Sequence, residues 1–200
     1  MFIVFEGVEG SGKSTQARML ADALRARGLS VVLTREPGGT ALGDAIREIL
    51  LRGPAEMSPL CELFLFCAAR AEHVRHVIAP ALAQGQVVIS DRYEISSVVY
   101  QGYAGDVGVP LAERLNAIAT EGLHADLTII LDLDPEIGLA RNAHPAKSNR
   151  IEGKSLDFHR RVREGYLAWA ASHPRESLVV DATKQPEEIH REVLARLGLL

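Results

Sequence analysis

The feature that most constrains this chain lies near its start. Gly7-Val8-Glu9-Gly10-Ser11-Gly12-Lys13-Ser14 fits the pattern G-x-x-x-x-G-K-S, with an apolar run at residues 2–5 directly before it and a helical pattern from Thr15 directly after it. Gly7, Gly10 and Gly12 carry no Cβ, so successive backbone N–H groups can turn inward around a polyphosphate, and the helix that follows aims its positive end at the same charge. Lys13 is placed to bridge the outer phosphates, and Ser14 offers a hard hydroxyl oxygen of the kind Mg²⁺ takes. The motif therefore predicts ATP or GTP, with magnesium, held at the edge of an α/β sheet.

The rest of the chain agrees with such a sheet. Short apolar runs at residues 2–5, 31–34, 87–90, 127–131 and 178–180 alternate with helical patterns at 14–27, 42–51, onward to about 84, then 111–121, 135–141, 156–171 and 186–197. That order predicts one domain spanning residues 1–200, an α/β fold with a five-stranded parallel sheet between helices. The polar, basic stretch 142–154 (NAHPAKSNRIEGK) interrupts the pattern and reads as a flap. With 22 Lys and Arg against 26 Asp and Glu, the net charge is −4, which gives no basic field for a nucleic-acid polymer. No apolar run approaches the ~20 residues of a membrane span, and residues 2–5 lead into Glu6 and glycines as a strand would, not a secretory signal. We expect a cytoplasmic protein. Cys61 and Cys67, six apart in an apolar helical stretch, read as core thiols. His73 and His76, three apart, read as a solvated or interface pair with no metal-binding register.

A phosphate loop alone does not separate motor, switch and kinase. The chain has neither an N-K-x-D base reader nor a D-x-x-G loop, which argues against a guanine-specific switch. Asp91-Arg92-Tyr93 ends the third apolar run, where open α/β sheets place ligands; Asp91 can anchor magnesium through water and Arg92 can fork onto a phosphate. Thr34-Arg35-Glu36-Pro37-Gly38-Gly39-Thr40 closes the second run on the same edge.

The phosphate loop, the TREPGGT turn, the FCAAR stretch from Phe66 to Arg70, the DRYEISSVVYQG segment and the flap ending Arg150-Ile151-Glu152 resemble, in order and spacing, the bacterial thymidylate kinases, as far as Asp181-Ala182-Thr183. The resemblance implies a phosphate-loop NTPase fold of three α/β/α layers and transfer of the ATP γ-phosphoryl to dTMP, giving dTDP for dTTP synthesis. It further implies that Phe66 stacks on the thymine, Arg70 contacts its carbonyl edge, and Gln101 and Ser97 add polar contacts. Tyr100 lies against the sugar and disfavours a ribose 2′-hydroxyl, Glu9 faces that sugar, Arg92 with Arg47 holds the acceptor phosphate, and Glu36 and Pro37 line the pocket. Arg141, Ala182 and Thr183 fit adenine-contacting positions, and Glu152 is a flap acid near the magnesium. Because Val8, Glu9, Gly10 and Ser11 are not basic, the family pattern assigns the transferring phosphoryl's cation to Arg150, with Lys147 in reserve. The family also implies a homodimer, for which the apolar residues 60–69 and 74–82 offer either a face or part of the chain's own core. A phosphate-loop kinase with another acceptor, and an ATP-binding regulator without turnover, are the alternatives.

Overall fold

The computed structural model describes residues 1–53, 56–142 and 150–200. Five strands, β1 (Phe2–Glu6), β2 (Val31–Arg35), β3 (Val87–Asp91), β4 (Leu127–Asp132) and β5 (Ser177–Asp181), form one sheet in the order β2-β3-β1-β4-β5. Every pairing in it is parallel. All five strands extend one residue beyond the run expected from the sequence at the carboxyl end, and Glu6, Arg35, Asp91, Asp132 and Asp181 there are polar, as befits the edge that receives ligands.

The helices are α1 (Lys13–Ala26), α2 (Ala41–Arg52), α3 (Pro59–His73), α4 (Ala79–Ala83), α5 (Glu94–Ser97), α6 (Val109–Thr120), α7 (Pro135–Asn142), α8 (Leu156–Ser172) and α9 (Pro186–Arg196). π-helical turns at Val74–Ile78 and Val98–Tyr103 continue α3 into α4 and extend α5. The α5 region carries no clear 3.6-residue apolar stripe and was not expected as helix. Alternate strand residues face opposite layers. Ile3, Phe5 and Ile89 join Leu20, Leu24, Ile189 and Val193 of α1 and α9, whereas Phe2, Val4 and Val88 meet Val74, Ile78 and Ala81. The second contact decides one open reading: the face of residues 74–82 is spent within the chain.

Local chemistry fixes the helix starts. Thr40, Ser58 and Ser155 accept from the N–H groups of Gly43, Cys61 and Phe158, and Gln185 with Glu188 closes a capping box before α9. Helix α1 differs: its N-cap is Gly12 at φ 92°, with no side-chain cap and no acid in its first turn. Its terminal N–H groups are thereby left for a ligand. Two expectations about side-chain pairs hold for one member of each and fail for the other. Cys67 is buried but Cys61 is exposed, because it lies in the first turn of α3 on the side that leaves Leu60 and Phe64 uncovered. His73 is fully enclosed, its Nδ1 3.0 Å from Glu36 and its Nε2 2.7 Å from Thr34 Oγ1, while His76 stays on the surface beside Glu72.

Candidate active site

A cavity of about 470 Å³ opens at the carboxyl edge of the sheet, within the usual range for a small-molecule site. Glu9, Gly10, Gly12, Lys13, Ser14 and Thr15 form one wall. Gly7, Gly10 and Gly12 take φ of 138°, 70° and 92°, the conformations that wind the loop. Val8 is in the core and Ser11 is buried behind the loop. The Lys13 ammonium folds onto the loop, donating to the carbonyls of Gly7 at 3.1 Å and Val8 at 2.8 Å and to Ser11 Oγ at 3.3 Å. Burial and then the Arg92 charge push its pKa down to about 8, against the pull of Asp91, Glu9 and Glu6. Ser14 Oγ donates to Asp91 Oδ2, so the hydroxyl and the carboxylate expected near magnesium are in contact. These hard oxygens fit that ion. Arg141 lines the cavity and donates to the carbonyls of Gly10 and Ala182, and Thr183 is folded onto Asp181 beside them.

Arg92 organises the next wall. It is a non-glycine residue at φ 74°, a strained backbone of the kind that costs ~1–3 kcal/mol and collects at functional sites. The strain is held by its N–H bond to Phe5 and by Ser90 Oγ donating to its carbonyl. Its guanidinium donates to Ser96 Oγ, Tyr166 Oη, Glu9 Oε1 and Tyr100 Oη at 3.0–3.2 Å. Burial works against this charge, yet Tyr100, Tyr166, Glu9 and Glu6 more than restore it. Burial would likewise raise the Glu9 carboxyl, but His159, Arg92, Lys13 and the Tyr100 hydroxyl outweigh it and hold the pKa at about 2. His159, enclosed on α8, comes within 3.6 Å of Glu9 through Nδ1, close enough to act on that carboxylate.

Phe66, Glu36, Pro37, Arg47, Ser97, Tyr100 and Gln101 all line the same cavity. Arg47 donates to the Pro37 carbonyl at 2.8 Å, so this helical arginine is drawn inward. Burial, then the neighbouring Arg35, lowers its pKa, against the pull of Asp91 and Asp44. Arg70 stands one layer back: its guanidinium donates to Glu36, Ser97 Oγ, Asn116 and the Tyr93 carbonyl and is not on the cavity lining. Glu36 is thereby tied between Arg70 and His73.

Of the stretch 142–154 expected as a flap, Lys147 lies outside the described residues. Glu152 and Asn142 line the cavity, with Asn142 Nδ2 3.4 Å from Glu152. Arg150 does not line it. Its N–H and Nε donate to the carbonyls of Leu51 and Leu50, and Nη2 sits 2.5 Å from Glu62.

Sequence reasoning missed several members of this network. Glu6 is completely enclosed at the end of β1 and accepts from the N–H groups of Tyr93 and Ser96, from Ser96 Oγ and from Tyr166 Oη. Its pKa is raised by burial, which Arg92 and these donors only partly offset. An acid ending an apolar strand next to the glycine loop was the signal available. Arg35, Ser96 and Glu62 likewise went unselected, and Tyr166 arrives from α8 by a tertiary contact no spacing reveals.

A protein-family model described as thymidylate kinase matches residues 5–193. The thymidylate kinase of Nitratidesulfovibrio vulgaris is 52% identical over 97% of this chain and 90% of its own length, and that of Deinococcus radiodurans is 46% identical over 99% and 96%. The crystal structure of thymidylate kinase from Ehrlichia chaffeensis superposes with a TM-score of 0.81 at 35% identity, covering 98% of both chains. A glycine loop, a buried arginine cluster and aromatic side chains around one cavity at the parallel-sheet edge thus coincide with end-to-end similarity: the chain belongs to the thymidylate kinase family.

Proposed function

We propose that this protein is an ATP-dependent kinase that moves the γ-phosphoryl of ATP to dTMP, giving ADP and dTDP. The observation that carries this reading is the single cavity that joins the phosphate loop to Phe66, Tyr100 and Gln101, with Arg92 and Arg47 on its lining. A kinase needs both substrates in one water-poor space with cations for the facing phosphates. A nucleoside acceptor, or a regulator without an acceptor, brings no phosphate to Arg47 and leaves Arg92 to Glu9 and Glu6 alone.

In this reading Lys13 exchanges the Gly7 and Val8 carbonyls for the β- and γ-phosphates, alongside the loop N–H groups and the open end of α1. Arg141 stacks on the adenine, with Ala182 and Thr183 contacting its edge. Arg92, assisted by Arg47, holds the acceptor phosphate, whose oxygen is already nucleophilic at neutral pH, so no general base is assigned. Phe66 stacks on the thymine while Ser97 and Gln101 meet its polar edge, and Arg70, held on Ser97 and Glu36 one layer back, turns to its carbonyl when the base is bound; Glu9 and Tyr100 bound the sugar. Ser14 and Asp91, with Glu152 nearby, would hold Mg²⁺, which when bound neutralises charge across the transferring phosphates. Arg150 joins the phosphoryl by leaving Glu62, as residues 142–154 act as a flap that excludes water within a single domain. Exposed Leu60 and Phe64 on α3 and Leu111 and Ile118 on α6, helices that pack together, support a homodimer through this face. The described residues contain no helix long and apolar enough to cross a membrane, and the substrates are those of the cytoplasm.

Coupled ADP release with Mg·ATP and, separately, dTMP, dUMP, ribosyl-TMP, dGMP and thymidine tests the reading. Fast turnover with dTMP, weaker with dUMP and little with the rest is expected. Turnover with thymidine points to a nucleoside kinase, and no acceptor-dependent release points to a regulator.

A further inference from the structure

Gln101 sits in the π-helical turn after α5, lines the cavity, and spends its side-chain nitrogen on a residue outside it: Nε2 donates to Glu62 Oε1 at 2.6 Å. Glu62, on α3, is itself 2% exposed. Arg150 Nη2 lies 2.5 Å from its Oε2, and Lys154 Nζ lies 3.6 Å from its Oε1. Flanked by the half-buried Lys154 and the more enclosed Arg150, the buried carboxylate offers only acceptors. A Gln side chain can present either its NH₂ or its oxygen to a neighbour, and an anion at this distance permits only the NH₂. The amide is planar, so with Nε2 held on Glu62 its Oε1 occupies the other arm of a side chain that lines the cavity.

We propose that Glu62 is a specificity-determining positioning residue that acts through Gln101, fixing its amide so that the base end of the acceptor site presents a hydrogen-bond acceptor. This rests on the reading of that end of the cavity as the site of the acceptor base. A 4-oxo pyrimidine such as thymine or uracil carries an N3–H that donates to such an oxygen. Cytosine carries a lone pair at N3, which meets Oε1 with two acceptors face to face and no proton between them. Selection between the two therefore depends on a carboxylate that touches no substrate. A site whose polar groups are committed in advance discriminates more sharply than one whose groups can turn.

The test is kcat/KM with Mg·ATP for dTMP, dUMP and dCMP in the unaltered enzyme, Glu62→Gln and Glu62→Asp. The neutral amide of Glu62→Gln can donate or accept, so Gln101 turns freely. The preference for dTMP over dCMP is expected to fall by about 10-fold or more, through KM, with dUMP following dTMP. Glu62→Asp, which keeps the charge, should retain most of the preference. A folded Glu62→Gln enzyme with the unaltered preference overturns the proposal. An unaltered enzyme that does not phosphorylate dTMP overturns the functional reading instead. Should Glu62→Gln not melt cooperatively, the unaltered protein carries the test by side-chain amide hydrogen exchange on the ¹⁵N-labelled, nucleotide-free chain. One Gln101 Nε2 proton is expected to exchange slowly, and solvent-rate exchange of both overturns the proposal.

Discussion

Gly10 and Gly138 meet backbone against backbone: a Cβ on Gly10 would lie 2.1 Å from the Gly138 carbonyl oxygen, and a Cβ on Gly138 the same distance from the Glu9 carbonyl oxygen. Helix α7 thus braces the phosphate loop with no side chain between them. Inside an exposed helix, Gly to Ala normally stabilises by ~1 kcal/mol. Here the sign reverses, because neither neighbour is a flexible side chain that can give way. Gly138→Ala is expected to lower stability by ~1–3 kcal/mol, the usual penalty for overpacking. It should also raise the KM for ATP at least ~10-fold, since about 1.4 kcal/mol of lost binding suffices, with the KM for dTMP little changed. Thermal melts and steady-state kinetics check this; a Gly138→Ala protein that melts higher and binds ATP normally rules out the bracing contact.

Arg150 poses a different question, because the structure parks it on Glu62 and two carbonyls of α2. If it reaches the phosphoryl during transfer, Arg150→Ala loses mainly kcat, within the ~10³–10⁵ that such arginines supply in related systems. The KM values stay near normal, because the group acts on the transition state. If it is only the partner of Glu62, kcat is unchanged and the loss appears as lower stability from a buried, unpaired carboxylate.

These two cases show what was and was not legible in the sequence. The strands read correctly because each is an apolar run closed by a polar residue at its ligand edge, as Val87 to Asp91 shows. The glycine loop winds where the sequence places it, between β1 and α1, because its turn geometry is set by local glycines. What did not read was the direction of side chains carried on helices. His73 and His76 have identical spacing arguments, yet one is sealed against Glu36 and the other faces solvent. Cys61 and Cys67 divide the same way. Arg70, expected to contact the acceptor base, is bonded to Glu36 and to Asn116 of α6, partners 34 and 46 positions away that no local pattern names. Glu62 and Tyr166 act through contacts bridging 39 and 160 positions, which no local pattern encodes.

The exposed apolar residues of α3 and α6 lead to a quantitative expectation about assembly. Ile118 is 75% exposed and Phe64 51%, and each shares its helix face with a second exposed leucine. Light scattering should give a mass twice the 21.7 kDa of the chain. Ile118→Asp combined with Phe64→Asp should give the monomer with an unchanged far-UV spectrum, since neither side chain is in the described core. A monomeric mass for the unaltered protein would remove the homodimer from the proposal.

The depressed pKa of Lys13 has a measurable consequence for ATP binding. In the nucleotide-free protein the ammonium titrates at about 8, because burial and Arg92 disfavour its charge. A bound polyphosphate brings negative charge to that nitrogen and raises the pKa again, so the protonated form binds more tightly. Below pH 8 the proton is already present and affinity is flat. Above pH 8 the free protein must take up a proton to bind, and affinity falls by up to about 10-fold per pH unit until the pKa of the complex is reached. The same shift acts on folding in the opposite direction. Between about pH 8 and the ordinary lysine value, the unfolded chain holds this proton and the folded one does not, so the contribution of Lys13 to stability rises with pH. Calorimetry at pH 9 in two buffers of different ionisation enthalpy should show uptake approaching one proton per ATP bound, falling toward zero at pH 7. Lys13→Met should abolish the uptake. An equal uptake in Lys13→Met would move the titration to another group, and no uptake at pH 9 in the unaltered protein would show that the ammonium keeps its charge in the empty site.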